Sequence, residues 1–394
     1  MKNARKLRGA AGGALTLALG LSALSVPAAM ASPATMARPA AKHAVTYKYT
    51  LSRIAWTGSR SVIAATDTHG DLYYFWEAAG SAKWHEQLVA KAKTGLSFSK
   101  PAIAWTGATV IIVAQDTAGT LLYFVPGAGG TWRHNEVTSL NGDWRAPAVT
   151  GAPGDEALVT AHTATGKLYA FLLTSGSGQV SGSLVTYGIS GASSVATCYG
   201  GIAGYLGLVA ATIGGTLYFW WDNLDLGNWT EETVAQPALG EQFTSASVAA
   251  SSSSILVTAY NTQGAVDVFV QTIGDSTWQG EQVTGGSAQP YAHPVIAWTG
   301  VVGQLGLRSL SYDVITATGP HGQLDYWWAA DGSTSWHAET IAKSGKQAAY
   351  ANPSIAVSAK SVIVTAINSK PGNVIFWHQN FGTTPWPEQL VAKG

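Results

Sequence analysis

A glycine returns seven times along the chain at nearly constant spacing, and this repeat limits the fold more than any other feature. Neighbouring copies lie 47 to 58 residues apart. They are Gly70, Gly119, Gly166, Gly215, Gly264, Gly322 and Gly372. A period near 50 residues, carried on short apolar segments and turns, is the signature of a β-propeller with one blade per repeat. The sequence therefore predicts an all-β fold, a seven-bladed β-propeller of four-stranded antiparallel blades.

Each repeat divides into four strands. The first is a small apolar segment such as Ile54-Ala55, and in four repeats a proline starts it, as Pro101 does. The second and third strands form a hairpin, which the repeated glycine closes. Five places after each glycine stands an aromatic residue, with an aliphatic residue on the opposite face, so the third strand is predicted to be buried on both faces. The fourth, outer strand begins with tryptophan in six repeats and carries an acidic residue.

Three features depart from this pattern. The sixth repeat is longer because residues 301–310 separate its first two strands. Residues 45–50 alternate like a strand outside the repeats, and whether they pair with the last blade to close the ring is left open. The third repeat has Val180 in place of the outer tryptophan, and we expect its blade to be the first to lack binding activity.

The N-terminal residues predict export. Four basic residues precede an apolar stretch and the small-residue sequence Ala29-Met30-Ala31, which is typical of a cleaved signal peptide over residues 1–31. Residues 32–42, rich in Ala and Pro, are predicted to be a disordered spacer, and residues 43–394 a single propeller domain. The protein is therefore expected to be extracellular. Because Cys198 is the only cysteine, packing rather than disulfides must stabilise the domain.

Composition and charge exclude several functions. The net charge is zero, and no basic run occurs outside the signal peptide, so a nucleic-acid partner is not expected. No later segment has the roughly 18 apolar residues of a membrane span. The nine histidines are scattered and His-Glu-x-x-His is absent, so neither a metal site nor a cofactor is predicted.

Tryptophan beside glutamate is the remaining signal, and it favours carbohydrate binding. Sugar rings stack on indoles through C–H faces, while their hydroxyls need carboxylate or amide partners. Glycans or a cell-surface polysaccharide are the predicted partners, bound at several sites. The candidate binding residues are Trp76, Trp84, Glu86, Trp221, Trp229, Glu232, Trp278, Glu281, Trp328, Trp336, Glu339, Trp386 and Glu388.

Three other interpretations remain open. Each tryptophan could instead fill the space between blades as core, and each glutamate could be a solvated edge residue. The same aromatic surface could serve an extracellular scaffold that binds a protein partner, if it forms one contiguous patch. No catalytic residue is predicted, because the recurring acids lie one per blade and cannot meet as a glycosidase pair. A glycan-active hydrolase or lyase would require residues of different blades to cluster at one mouth, for example Asp143, Arg145, His293 and Asp313.

The repeat also resembles a known group. Its clearest copy runs from Asp67 through Tyr73-Tyr74-Phe75-Trp76 to Trp84-His85-Glu86, and it resembles tryptophan-rich repeats of secreted seven-bladed propellers from high-GC Gram-positive bacteria. It is more distantly similar to bacterial propeller lectins and to fucose-specific propeller lectins. The resemblance implies a glycan-binding propeller. Fucose lectins place an arginine with a glutamate and an aromatic in each inter-blade pocket, whereas no arginine recurs with this repeat, so generic glycan binding is implied.

Overall fold

The computed structural model describes residues 48–394, apart from residues 79–80, 82, 141, 187–189, 203–204, 225, 285–289, 301–302, 306–307, 332, 334, 359 and 382–384. The predicted signal peptide and spacer lie outside this part of the chain. The described residues form seven four-stranded antiparallel sheets whose first strands contact one another around a ring. Their one helical segment is a 3₁₀ turn, Ala128–Gly130. The predicted seven-bladed β-propeller is confirmed.

The first four blades take their strands in chain order, from innermost to outermost. Blade 1 contains β1 (Tyr49–Trp56), β2 (Arg60–Asp67), β3 (Leu72–Ala78) and β4 (Trp84–Ala90). Blade 2 contains β5 (Phe98–Trp105), β6 (Val110–Asp116), β7 (Leu121–Pro126) and β8 (Trp132–Glu136). Blade 3 contains β9 (Arg145–Ala152), β10 (Glu156–His162), β11 (Leu168–Thr174) and β12 (Gln179–Leu184). Blade 4 contains β13 (Ala192–Ile202), β14 (Tyr205–Ile213), β15 (Thr216–Asp222) and β16 (Thr230–Ala235).

The last three blades follow the same order, with one insertion in blade 6. Blade 5 contains β17 (Phe243–Ala250), β18 (Ser254–Asn261), β19 (Val266–Thr272) and β20 (Gln279–Gln282). Blade 6 contains β21 (Ala292–Trp298), β24 (Tyr312–Thr318), β25 (Leu324–Ala330) and β26 (His337–Ala342). The predicted extra residues of blade 6 form the hairpin β22 (Gly303–Leu305) and β23 (Arg308–Leu310). Blade 7 contains β27 (Tyr350–Val357), β28 (Ser361–Asn368), β29 (Asn373–Asn380) and β30 (Glu388–Ala392).

Hydrophobic packing between blades holds the ring together. The buried apolar residues of the described chain form seven clusters, one for each pair of neighbouring blades, including blades 7 and 1. On β3, Phe75 packs against Phe376 of blade 7, while Leu72 packs toward blade 2. Each such fully buried side chain stabilises the fold by roughly 1.5–3 kcal/mol. The third strand is apolar on both faces, as predicted, because a blade lies against each face.

The repeated glycines join each blade to the next. The carbonyl oxygen of each glycine accepts a hydrogen bond from the amide that starts the following blade, at 2.7–3.2 Å in all seven described cases. Gly70 has a φ of +80°, and a Cβ placed there would lie 2.2 Å from the Cβ of Ser97 at the entry to blade 2. Any other residue would therefore be strained in its backbone and would collide with the next blade.

The ring closes by this same contact. The amide of Tyr49 donates to the carbonyl oxygen of Gly372 in blade 7 at 2.9 Å. Tyr49 belongs to the segment 45–50 and is the first residue of β1, so this segment starts blade 1 and also contacts blade 7. All four strands of blade 1 come from residues 49–90 and all four of blade 7 from residues 350–392. Side-chain packing, this backbone hydrogen bond and several side-chain hydrogen bonds close the boundary between these blades, without exchange of a strand.

The innermost strands carry a bulge at the predicted prolines. Pro101 and Pro353 do not start their strands, as the sequence suggested, but lie three residues inside them. The preceding residues Lys100 and Asn352 have φ values of 48° and 53°, and the pairing register shifts there. Since proline has no N–H to donate, a bulge tolerates it where a regular ladder does not. His293 and Ser245 adopt the same left-handed conformation in blades 6 and 5.

Candidate functional site

Strand register decides which boundary each tryptophan reaches. In blade 1, Trp76 of β3 pairs with His85 of β4, whereas Trp84 pairs with Glu77. Because side chains alternate between the two faces of a strand, Trp76 and Trp84 lie on opposite faces of the blade. Trp76 packs with residues of blade 2, and Trp84 packs with residues of blade 7. The two tryptophans that the sequence places on neighbouring strands of one blade thus belong to different boundaries.

The same separation occurs in blades 4 and 6, and it brings together tryptophans of successive blades. Trp221 and Trp328 pack toward the following blade, while Trp229 and Trp336 pack toward the preceding one. We call the space between the outer parts of two successive blades an outer cleft, numbered by its blades. Three outer clefts have tryptophan on both sides: cleft 1/2 with Trp76 and Trp132, cleft 4/5 with Trp221 and Trp278, and cleft 6/7 with Trp328 and Trp386.

Cleft 4/5 contains a carboxylate bonded from both sides. Glu232 of β16 accepts the indole N–H of Trp221 through Oε1 at 3.2 Å. Its Oε2 accepts from the indole of Trp278 at 3.0 Å and from Nε2 of Gln271 at 2.6 Å, both on blade 5. Both indoles remain partly exposed. The carboxylate therefore fixes two partly exposed ring systems, one on each wall, with their N–H groups directed at the same anion.

Cleft 6/7 repeats this arrangement. Glu339 of β26 accepts from Nε2 of Gln379 at 3.0 Å and from the indole of Trp386 at 3.2 Å, again through Oε2. On the blade 6 wall, Trp328 stacks on His337 with ring centroids 4.2 Å apart and an interplanar angle of 22°. The cleft thus combines a hydrogen-bonded carboxylate with two partly exposed tryptophans and a histidine.

Cleft 1/2 keeps the aromatics but lacks the acid. Trp76 stacks on His85 with ring centroids 5.1 Å apart, and Trp132 contacts Tyr74 edge to face at 5.1 Å. Gln87 occupies the position of Glu232 and donates to the carbonyl of Gly130. Aromatic walls with a neutral amide give a less polar cleft than the other two.

The boundary between blades 7 and 1 uses the same positions with acid and amide exchanged. Gln389 of β30 stands where Glu232 and Glu339 stand, and it accepts the indole N–H of Trp84 at 2.9 Å. Its other partner is Glu77 of β3, which is buried at the position of Gln271. Burial raises the pKa of Glu77 from 4.5 to about 7, and the hydrogen bond from Gln389 opposes this rise. The cleft at ring closure therefore contains an acid that is half protonated near neutral pH.

The other predicted residues lie apart from the three clefts. Glu86 and Glu388 are exposed and lie on the opposite face of their strands from Gln87 and Gln389. The indole of Trp229 donates to Ser183 of blade 3 at 3.0 Å. The structure therefore gathers Trp76, Trp221, Glu232, Trp278, Trp328, Glu339 and Trp386 into clefts 1/2, 4/5 and 6/7, and leaves Trp84, Glu86, Trp229, Glu281, Trp336 and Glu388 outside them.

The boundary between blades 5 and 6 has a glutamate and a tryptophan at the same positions as cleft 4/5, but the hydrogen bond between them is not formed. Glu281 stands at the register position of Glu232, facing the Trp336 side of the next blade. Trp336 Nε1 is nevertheless buried with no hydrogen-bond partner among the described residues. A buried unpaired donor costs stability, so this boundary is less well satisfied than its counterparts in clefts 4/5 and 6/7.

One set of buried polar residues behind the outer strands was not predicted from the sequence. Glu77, Asp222, Gln271 and Gln379 all follow the repeated glycine by seven places, and all four are buried. A buried polar residue at a fixed repeat position requires a hydrogen-bond partner. That regularity is the signal by which these residues could have been found.

The boundary without an outer tryptophan is an open depression. Val180 and the glycines on either side of it, Gly178 and Gly182, replace the bulk that an indole supplies elsewhere. The resulting space of about 470 Å³ is lined by residues including Glu136, Tyr169 and Gly182. Whether blade 3 binds a ligand remains a prediction. Trp144 is buried at this boundary, but no tryptophan occupies the outer position.

The four residues named for a catalytic alternative do not all meet at one mouth of the ring. Asp143 and Arg145 form an ion pair with each other at 3.0 Å. Asp313 is 4% exposed and pairs with Trp298, five residues along β21 from His293. At about 3.3 Å per strand residue these two lie roughly 16 Å apart along the strand direction. In the described part of the chain, no group of three or more His, Cys, Asp or Glu is arranged to hold a metal ion.

Comparisons with known proteins support the fold. No protein-family model matches the chain, and neither does any curated protein. Among solved structures, the BP39L lectin from Burkholderia pseudomallei superposes with a TM-score of 0.63 at 15% identity, covering 87% of this chain and 100% of that one. The NanB sialidase from Streptococcus pneumoniae, as a K499G mutant, gives 0.50 at 9% identity over 82% of this chain and 65% of its own. The six-bladed fucose-recognising lectin of Aleuria aurantia gives 0.48 at 11% identity over 88% and 96%.

The described residues contain no helix with the length and apolar character needed to cross a bilayer.

Proposed function

We propose that this protein is a secreted, multivalent carbohydrate-binding propeller whose main sites are outer clefts 4/5 and 6/7. The observation that carries the proposal is Glu232, a carboxylate bonded to one indole from each wall of cleft 4/5. Its hydrogen bonds hold Trp221 and Trp278 in fixed orientations, and both rings are partly exposed. Preorganised aromatic faces beside a carboxylate match the C–H faces and hydroxyls of a sugar.

Repetition supports binding to glycans that present many copies of one sugar. Clefts 4/5 and 6/7 share the same acid, amide and tryptophan, and cleft 1/2 shares the aromatic walls. Weak sites on one ring gain from effective concentrations of about millimolar or higher once a first site is occupied. A branched or repeating polysaccharide is therefore the favoured ligand over a free monosaccharide.

The arrangement of the aromatics favours this proposal over a protein-binding scaffold. A scaffold would present one contiguous apolar patch, whereas the tryptophan pairs are distributed over three separate boundaries. The fold similarity to BP39L, whose structure is described as that of a lectin, agrees with the proposal. A hydrolase is less favoured, because Glu232 and Glu339 lie in different clefts.

The test begins with a glycan array probed with the mature protein. Any hit is then titrated by tryptophan fluorescence against the wild type, Glu232→Gln and Trp221→Ala. Each variant is expected to weaken binding at its own cleft and to reduce the apparent affinity for a multivalent glycan at least about tenfold. Glu388→Gln is the matched control, because Glu388 is exposed outside the clefts, and it should bind as the wild type does.

Melting curves separate lost binding from lost folding. Glu232→Gln keeps a hydrogen-bonding group between the two indoles and should melt within a few degrees of the wild type. If no glycan on the array binds at millimolar concentration, the carbohydrate proposal fails and the scaffold alternative takes its place.

A further inference from the structure

The innermost strands of the propeller carry only one sign of charge. The whole chain has 22 basic and 22 acidic residues, yet β1, β5, β9, β13, β17, β21 and β27 contain no aspartate or glutamate. Their ionisable basic residues are Arg53, Lys100, Arg145 and His293. Asp143 neutralises Arg145 from the preceding loop. Of the remaining three groups, Arg53 and Lys100 carry the unbalanced positive charge of the innermost strands in a protein that is neutral overall.

Arg53 is the only long side chain at its register position among the innermost strands. The residues at its register position in the other six blades are Ala102, Ala148, Ala196, Ser247, Val295 and Ser354. None of them approaches the volume of arginine. Arg53 is thus one long cationic side chain in a ring of small ones, and the residue is partly exposed.

Side chains at this register point along the inner edge of the ring. Ser354 of blade 7 accepts a hydrogen bond from the amide of Ile54, on the innermost strand of blade 1, at 3.2 Å. Ser247 of blade 5 does the same for Ile296 of blade 6, also at 3.2 Å. The corresponding direction for Arg53 is the inner edge of blade 2, where Lys100 occupies the bulge.

The guanidinium of Arg53 has spare donors and no counter-charge. Its Nη1 donates to the carbonyl of Ser52 at 3.0 Å, and no described carboxylate lies within 4.0 Å of it. An arginine offers five N–H donors in a planar fork that fits a carboxylate or a phosphate. Burial lowers the pKa of Arg53 to about 10, so the group is still charged at neutral pH.

His293 occupies the bulge of β21 in blade 6, on the other side of blade 7 from Arg53. Burial and the positive charge of Arg53 both lower the pKa of His293, although the two residues belong to blades 1 and 6. Between them, Nδ2 of Asn352 donates to the carbonyl of Thr50 at 3.2 Å and links blade 7 to blade 1. Arg53, Asn352 and His293 thus place polar groups of three successive blades around one part of the channel.

We propose that the axial channel binds the oxyanion of a small ligand, a carboxylate or a phosphate, through the guanidinium of Arg53, with Lys100 and His293 contributing further donors. This site is separate from the outer clefts and does not depend on carbohydrate binding there. A carboxylate could come from an acidic sugar and a phosphate from a free or esterified phosphate group, and both would use the same bidentate contact.

Isothermal titration of the mature protein at low ionic strength tests the site with three probes: inorganic phosphate, glucuronate and, as a neutral match, glucose. Saturable binding of phosphate or glucuronate is expected, and glucose should not bind at this site. Arg53→Met should weaken anion binding at least about tenfold, since it removes the charged hydrogen bonds. Arg133→Met is the matched control, because Arg133 is exposed on outer strand β8, and it should leave the affinity unchanged.

If Arg53→Met does not fold, Lys100→Met provides the test instead. Lys100 is exposed at a bulge, so its replacement is not expected to unfold the protein. It should weaken anion binding about threefold or more at low salt and less at 0.15 M salt, where exposed charges are screened. Phosphate binding without glucuronate binding identifies a phosphate ligand, and the reverse identifies an acidic sugar. The proposal is overturned if neither anion binds, or if anion affinity is the same in Arg53→Met and Lys100→Met as in the wild type. Glycan binding at the outer clefts should persist in both variants whatever the result.

Discussion

Outer cleft 4/5 and the boundary between blades 7 and 1 are built on the same three positions, with the acid and the amide exchanged. In cleft 4/5 the acid, Glu232, stands on the outer strand and the amide, Gln271, is buried on the third strand of the next blade. At the closing boundary the outer position is Gln389 and the buried one is the acid, Glu77. Both boundaries therefore keep the same hydrogen-bonded positions, whichever of the two carries the acid. The position of the acid decides whether the carboxylate lies at the outer strand, where a ligand can reach it, or is buried between the blades.

Removing Trp84 should have the largest effect, because its boundary also closes the ring. Trp84 contacts Phe376 with ring centroids 5.0 Å apart and donates to Gln389. Trp84→Ala is expected to destabilise the fold by about 2–3 kcal/mol, somewhat less than a fully buried tryptophan would. Urea denaturation checks this value, with Trp76→Ala as the comparison. A loss below about 0.5 kcal/mol would show that the closing boundary does not need this indole.

Glu77→Gln should change how stability depends on pH. The pKa of Glu77 is about 7 in the folded protein, above its ordinary value of 4.5, so the folded state holds the proton more tightly. This contribution is fully present below pH 4.5 and is lost as the pH rises through 7. Relative to the wild type, Glu77→Gln should be nearly neutral at pH 4.5 and stabilising by about 2 kcal/mol at pH 8.

Denaturation of both proteins at the two pH values measures this difference. Other acids with a raised pKa, such as Asp313 at about 7, contribute equally to both proteins and cancel. An equal difference between the two proteins at pH 4.5 and at pH 8 would contradict the assignment.

Filling the depression at cleft 2/3 tests the opposite case, a boundary without an outer tryptophan. Val180→Trp places a ring between Gly178 and Gly182, where the space is about 470 Å³. Buried apolar area should raise stability by about 1 kcal/mol. A higher melting temperature would support the interpretation that the outer tryptophans stabilise the contact between blades. A lower one would mean that the backbone of β12 cannot accommodate a tryptophan at this position.

Exchanging both residues of the closing boundary should have the smallest effect. Glu77→Gln combined with Gln389→Glu reproduces the arrangement of cleft 4/5 and keeps an acceptor for Trp84. Stability at pH 5 is expected within about 1 kcal/mol of the wild type. A calorimetric melt provides the measurement, and a loss much larger than this would show that the two boundaries differ in backbone geometry as well as in charge.

The sequence predicted the blades well because their signals are local. Glycine at a left-handed turn and an aromatic five residues later both act within one hairpin, so a period of about 50 residues was sufficient to count the blades. The closing contact of Tyr49 with Gly372 uses the same turn, although only the structure shows which blade Tyr49 belongs to.

The clefts were harder to predict because their partners lie in different blades. On β4, Glu86 lies two residues after Trp84 and shares its face, whereas Gln87 lies on the face toward blade 2. The sequence paired each tryptophan with the glutamate next to it, but the residue that reaches a tryptophan is on the neighbouring blade. Pairs such as Trp221 with Trp278 are 57 positions apart and become visible only when blade is packed on blade.

The hydrogen bond from a blade's first amide to the preceding glycine has a consequence for the ring as a whole. Since all seven boundaries share it, together with a hydrophobic cluster of their own, the boundary at which the chain is interrupted differs from the other six mainly in lacking a covalent link. A circular permutant cut between blades 3 and 4 and joined between blades 7 and 1 should assemble the same ring. The order in which the blades are synthesised would change, while the contacts that each blade makes would not.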